Sequence, residues 1–442
     1  MQSPWDKANL NLVVIGPRDS GKSTLAGNLL YKSGCVRPQD VNYYEAQGAG
    51  NSKYAWVVDK SEEEREKGST INLNMPHLEL QTGGKPQGPL LVGMFNKGLA
   101  TPSDSNYIEN LIDSLTVSDC ALLVISAIQS EFGAGIPKLR DQAMFAFQLG
   151  IRQVIVVVNK IDRVDWSEDQ FNAIRIETIT YLRKIGFEPR AIPFIPISGS
   201  TGDNLLEESV HLPWHKQFVI DRPNGCVKGK NPIDAIDVMQ PRARTSAKPL
   251  RLPIHKVHEI ADVGTVAVGC VQAGTLSIGM SITLAPSCVT AEVVSIEKHH
   301  WEAEKAREGE IVCFSIGDNG PVSRGDVASD SDNDPATSCE SFEVRLIARG
   351  PINNGDTFTV YCHTAHAECT LETIRSMDRR TDEIIEDQPS VVHPGHAAVV
   401  KMTPINPICV ERHSDYEDLG HVVIRSSGKT FGFGTVVGVE KN

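Results

Sequence analysis

The sequence predicts an α/β domain, a mostly parallel sheet with helices on both faces, followed by two antiparallel β-barrels. Three observations carry that expectation. Near-continuous apolar runs alternate with helical stretches up to about residue 200. From Leu250 the texture changes to short β-branched runs punctuated by Gly, Pro, Asn and Asp. Between the two lies a polar, proline-bearing stretch, "QPRARTSAKP". With 442 residues the chain is also too long for one hydrophobic core.

Taken in order, "LNLVVIG" reads as a buried strand. "GKSTLAGNLLYKSG" reads as a helix that opens on glycine and closes at Gly34. "ALLVISA" and "QVIVVVNK" are further buried strands, and "IPKLRDQAMFAFQLG" lies between them at helical spacing. Strand–helix alternation of this kind implies a parallel sheet covered by helices. "NPIDAIDVM", with Pro232 in its first turn, reads as the last helix. The first domain is therefore expected at residues 8–241, with a linker at 242–249. Runs such as "GTVAVGCVQAGTLSIGMSITLAP", "AEVVSIEKHH" and "EIVCFSI" carry the signature of small antiparallel barrels. The acidic break "ASDSDNDPATS" divides them, giving barrels expected at 250–335 and 336–442.

Composition excludes several classes. No apolar run approaches the roughly 18 residues of a membrane span. The opening "MQSPWDKANLNLVVIG" has neither a basic-then-apolar leader nor an Arg-rich amphipathic stretch, so a cytoplasmic location is expected. The ten cysteines then read as reduced thiols. "CHTAHAEC" offers Cys362, His363, His366 and Cys369. Read as one strand, it puts Cys362 and His366 on one face and His363 and Cys369 on the other, so no zinc is expected. A net charge of -13, with the acidic runs "SDSDND" and "TDEIIED", weighs against binding nucleic acid over a wide surface.

The chemistry lies in four motifs. "GPRDSGKST" comprises Gly16, Pro17, Arg18, Asp19, Ser20, Gly21, Lys22, Ser23 and Thr24, between a strand and a helix. That context is the one a phosphate-binding loop needs: backbone N–H groups and the helix dipole face the phosphates. Lys22 is placed to reach the β- and γ-phosphates and Ser23 to ligate Mg²⁺. "NKID" comprises Asn159, Lys160, Ile161 and Asp162 at the end of an apolar strand. The Asp162 carboxylate accepts two N–H bonds from a guanine edge, whereas adenine leaves it partly unpaired at a cost. Asn159 braces the phosphate loop and the stem of Lys160 covers the base. "ISGSTGDN" completes the base pocket with Ser198, Gly199 and Ser200. "EEEREKGSTINL" supplies a first switch, in which Thr70 is the second candidate Mg²⁺ ligand.

With these motifs the chain resembles elongation factor 1-alpha, a family of translational GTPases. "NLVVIG…DSGKST", "KYAWVVDK", "NKID", "PISGSTGDN", "KPLRLP", "AEVVSIEKHH", "CHTAHAEC" and "SDYEDLG" occur in that family's order and at nearly its spacing, from about residue 8 to residue 440. The resemblance implies a P-loop G domain and two β-barrels, GTP and GDP with Mg²⁺ as ligands, and a monomer. As partners it implies the ribosome, a nucleotide-exchange factor and aminoacyl-tRNA. Release-factor-subunit and ribosome-rescue relatives share the plan; "KYAWVVDK" and the lack of an N-terminal extension fit the elongation factor better.

Three departures from that family stand out. Its second switch carries D-[AT]-P-G-H-R-D, and no Asp-x-x-Gly occurs here between residues 71 and 160. One alignment puts Ala100 at the Asp, Ser103 at the Gly and Asp104 at the catalytic His; another ends the strand at Phe95 and puts Asn96 at the Asp. Either way no intact catalytic residue is expected, and hydrolysis should be weak or lost. The turn that meets the amino-acid end of tRNA reads "GEIVC", with Ile311 for the family's Asn and Cys313 for its Gly. His299 and His300 match the family's pair near that pocket. The chain ends at "VVGVEKN", without a Lys-rich tail. The competing reading is therefore a nucleotide-bound protein-interaction module that neither hydrolyses GTP nor delivers tRNA.

Overall fold

The structure is a computed structural model. It describes residues 10–59, 77–78, 81–82, 85–86, 90–94, 105–222, 225–242, 247–298, 301–317, 320–379, 381 and 383–442. The chain divides into two compact units. The first comprises Met1–Ala100, Ser118–Phe147 and Ile151–Arg242; the second comprises Thr101–Val117, Gln148–Gly150 and Ala243–Asn442. Among the described residues, no helix is long and apolar enough to cross a membrane.

The first unit is built on a six-stranded sheet. Its strands are β1 (Leu10–Ile15), β2 (His77–Leu78), β3 (Leu90–Met94), β4 (Cys120–Ser126), β5 (Gln153–Asn159) and β6 (Phe194–Pro196), in the order β2-β3-β1-β4-β5-β6. All neighbours run parallel except β2 against β3. Every residue of β4 is buried, as expected of a central strand covered on both faces. Parallel pairing gathers the C-terminal ends of β1, β4, β5 and β6 along one edge, where ligands bind in open α/β sheets.

Helices α1 (Lys22–Lys32), α2 (Gln129–Gln148), α3 (Glu168–Ile185) and α4 (Pro232–Asp237) belong to the same unit. Helix α4 starts as the sequence suggests, with Pro232 at its first turn and the Asn231 side chain accepting from the Asp234 N–H at 3.0 Å. Helix α2 is longer than its apolar spacing predicts. It begins at Gln129 and carries Pro137 inside it, so the loss of one backbone bond is tolerated within a helix that buries one face.

The second unit holds two apolar cores, one from Leu250 to Ala328 and one from Cys339 to Val436. The first lies within an eight-stranded antiparallel sheet. The second lies within a seven-stranded sheet that closes on itself, because Thr357–Cys362 pairs with both His421–Ser426 and Ala365–Met377. Closure leaves Ile384–Asp387, which among the described residues pairs only with Ala365–Met377, as an exposed strand outside the closed ring. Arg251, the arginine of "KPLRLP", is fully buried. It donates to Glu411 at 2.9 Å and to Asp334 at 2.8 Å, with its guanidinium 4.5 Å from the Tyr416 ring centre.

"CHTAHAEC" is a tight hairpin and not a single strand: Cys362 pairs with Ala365, and His363 sits in the turn with φ 44°. The reversal breaks simple alternation, so Cys362 and Cys369 share one core. His363 is buried and donates to the Cys409 carbonyl at 2.9 Å, while His366 is exposed and stacks on Tyr361.

Candidate functional site

Residues Gly16–Thr24 form the loop that leaves β1 and enters α1. Gly21 caps the helix with φ 87°, a left-handed conformation that glycine adopts without strain. A Cβ there would collide with the Asn159 amide. The backbone thus bends tightly at the N-terminal end of α1. Arg18 and Asp19 are exposed and paired at 3.7 Å. Lys22 is buried, and its ammonium donates to the Pro17 carbonyl at 2.6 Å across the loop. Burial pulls the Lys22 pKa down to about 7, against a smaller upward pull from Asp19. Ser23 is buried in the first turn of α1 and Thr24 is half-buried beside it.

Asn159, the last residue of β5, ties the three segments together. Its amide donates to the Ser20 carbonyl at 2.8 Å. Its side-chain oxygen accepts from the N–H groups of Lys160 and Gly199, each at 2.8 Å. One buried side chain therefore sets the distance between the phosphate loop, the "NKID" turn and the "ISGS" turn. Lys160 follows in a left-handed conformation, φ 63°, and pairs with Glu131 at 2.8 Å. Burial alone would raise the Glu131 carboxyl, but bonds from Lys160 and Ser126 outweigh it and hold the pKa below the usual range. Ile161 is fully buried.

Asp162 differs from its neighbours. Its Oδ1 atom is buried and has no hydrogen-bond partner among the described residues. Such an atom is costly unless a ligand satisfies it. Ser198 and Ser200 close this end of the site, their hydroxyls 3.3 Å apart, and the Gly199 carbonyl accepts from Asn28 at 2.9 Å. Each "NKID", "ISGS" and phosphate-loop residue named from the sequence thus lies on one edge of the sheet. The donor and acceptor set gathered here, a buried carboxylate oxygen at one end and a buried lysine with a helix start at the other, fits a guanine nucleotide.

Sequence reasoning missed Glu131 and Asn28. Asn28 left a faint signal, as an amide inside the apolar stripe of α1; Glu131 left none. Thr70, Ala100, Ser103, Asp104, Phe95 and Asn96 lie outside the described residues, as do His299 and His300. Ile311 and Cys313 are both half-buried on the strand Ile311–Ser315, where they pair with Cys270 and Val268.

Comparison with known proteins bears on the same residues. The family model "Elongation factor Tu GTP binding domain" matches residues 7–242. The chain is 40% identical over 450 residues to elongation factor 1-alpha of Aspergillus oryzae, covering 99% of this chain and 95% of that one. It is 41% identical over 449 residues to elongation factor 1-alpha of Absidia glauca, covering 99% and 96%. The chain belongs to the elongation factor 1-alpha family of translational GTPases.

Membership is carried by both ends of the chain, since the model "GTP-eEF1A C-terminal domain-like" matches residues 341–437. Among solved structures, the Saccharomyces cerevisiae Ski7 GTPase-like domain, bound to GTP, superposes with a TM-score of 0.77 at 15% identity, covering 98% of this chain and 97% of that one. A bacterial selenocysteine-specific elongation factor gives 0.67 at 17% identity, covering 97% of this chain and 58% of that one. At those identities the likeness is one of fold. The architecture of this chain is an N-terminal domain of the GTP-binding family followed by antiparallel barrels.

Proposed function

We propose that this chain is a guanine-nucleotide-binding translation factor whose second switch is degenerate, so that it holds GTP or GDP and hydrolyses GTP slowly. The nucleotide and Mg²⁺ are assigned to Gly16–Thr24, Asn159–Asp162, Ser198–Ser200 and Thr70, in a domain at 8–241 followed by a linker at 242–249 and barrels at 250–335 and 336–442. The observation that carries the reading is the buried Oδ1 of Asp162, without a partner among the described residues, set beside a phosphate loop that Asn159 holds in place. A carboxylate so placed selects guanine by the penalty an adenine would leave behind. Lys22 and the first N–H groups of α1 orient the phosphates, and Mg²⁺ when bound supplies charge neutralisation there.

Family resemblance supports a cytoplasmic monomer acting with the ribosome and an exchange factor, and with aminoacyl-tRNA as cargo. Ile311 supports the narrower reading, a nucleotide-held interaction module without tRNA delivery: its half-buried aliphatic side chain offers no hydrogen bond to an amino group. Calorimetry of the purified protein tests the first reading. GDP is expected to bind at least roughly 10³-fold tighter than ADP, and equal affinities would overturn the assignment. Filter binding of aminoacyl-tRNA to the GTP-loaded protein separates delivery from the module.

A further inference from the structure

A second chemical cluster lies far along the chain from the nucleotide motifs, in the turn that precedes the strand His421–Ser426. His413, Glu417 and His421 each offer one ligand atom, and those atoms lie within 4.8 Å of one another. We propose that the three residues form a site for a borderline divalent cation of the zinc class.

The turn is held by backbone bonds within itself and to the strand Lys429–Lys441. The His413 N–H donates to Val436 at 3.0 Å, the Tyr416 N–H to Arg412 at 2.9 Å, and the Val436 N–H to Gly420 at 2.8 Å. A short 3₁₀ turn, Glu417–Leu419, then brings the chain back against itself. Gly420 permits this return, because a Cβ there would collide with the His413 backbone. The two imidazoles consequently stand with ring centres 4.6 Å apart at 60°. His421 is buried, His413 is half-buried and Glu417 is exposed.

The hydrogen bonding favours a metal ligand at His413. Its Nδ1 lies 3.1 Å from the Glu417 carbonyl. A carbonyl only accepts, so Nδ1 carries the proton and the lone pair is at Nε2. A ring nitrogen anchored on a backbone carbonyl while the other faces the ion is the usual arrangement of metal-bound histidine. Tetrahedral zinc at about 2.0–2.1 Å from its ligands wants them roughly 3.3 Å apart. The exposed Glu417 side chain has the freedom to close that difference, because its carboxylate is not packed into the core. Two imidazoles and a carboxylate suit zinc or its neighbours and not Mg²⁺, which prefers oxygen ligands.

Binding would pin the segment that also carries Glu411, the buried partner of Arg251, and Tyr416, whose ring lies under the same guanidinium. No zinc is expected from the sequence, where the visible cluster is "CHTAHAEC". His413 and His421 are brought together by the His413 bond to Val436 and the pairing of His421 with Thr435, which spacing alone does not reveal.

The test uses the full-length protein, stripped with a chelator and kept in millimolar Mg²⁺. It is titrated with Zn²⁺ by calorimetry and with Co²⁺ by visible absorption. One equivalent is expected to bind, with ligand-field bands and no thiolate charge-transfer band. Glu417→Gln, a surface change, should weaken binding by on the order of tenfold or more, His421→Gln likewise, and Glu417→His should retain it. Absence of binding, a thiolate band, or unchanged affinity in Glu417→Gln would each overturn the proposal.

Discussion

At one end of the proposed nucleotide site the Asp162 Oδ1 is buried with no partner among the described residues; at the other, the Lys22 ammonium is engaged with Pro17 of its own loop. The base end is thus prepared for a ligand by an unmet demand, whereas the phosphate end is internally satisfied. A group already bonded contributes only the difference between its new partner and its old one. A buried oxygen that only the right base satisfies adds its own desolvation penalty to discrimination. Selectivity should therefore come from the base end. The phosphate end should contribute strength that depends on protonation.

The largest expected effect breaks the base end. Asp162→Asn replaces an acceptor with a group that presents a donor, so guanine should lose roughly 10³-fold or more in affinity while xanthine gains. Competition between GDP and XDP measures this directly. Unchanged preference would mean that Asp162 does not face the base. The next effect loosens the junction between the two ends. Asn159→Ala removes hydrogen bonds to Ser20, Lys160 and Gly199, each worth about 0.5–1.5 kcal/mol net. Nucleotide affinity should fall by about ten- to a thousandfold, read by calorimetry. A loss confined to thermal stability would show that Asn159 serves packing alone.

A third experiment turns to the switch. Positioned acid–base groups are worth about 10²–10⁴ in rate, and the second-switch motif is absent from residues 71–160. Ala100→Asp, Ser103→Gly and Asp104→His together should raise single-turnover GTP hydrolysis at least about tenfold with ribosomes present. Wild-type turnover equal to that of an ordinary elongation factor would remove the premise.

What was legible in the sequence follows the same division. Gly16–Thr24 and Asn159–Asp162 could be read because their chemistry depends on local order: a strand, a turn with positive φ, a helix start. The sheet and the barrels were legible through apolar periodicity. Glu131, Asn28 and the pairing of Arg251 with Glu411 were not, because each depends on long-range neighbours. The hairpin at His363 was misread as a strand for a local reason: one residue with positive φ reverses the chain and leaves the β-branched texture around it intact.

The smallest expected effect sharpens the phosphate end. Burial lowers the Lys22 pKa to about 7, whereas an exposed lysine titrates near 10.5. The sign is that of a cation resisting protonation: in the folded chain the neutral amine is favoured between those two values, so the unfolded chain binds more protons there. Stability contributed by this group therefore rises with pH from about 7 to 10.5 and is at its lowest below 7. A phosphate placed against Lys22 favours the ammonium and raises its pKa again. At a pH near 8.5 nucleotide binding should then take up close to one proton, and near pH 6 almost none. Calorimetry in buffers of different ionisation enthalpy counts that proton. Lys22→Met should abolish the uptake while leaving the preference for guanine over adenine in place. A buffer-independent enthalpy at pH 8.5 in the unaltered protein would mean that Lys22 is already charged before it meets phosphate, and the two ends would then be alike in their readiness.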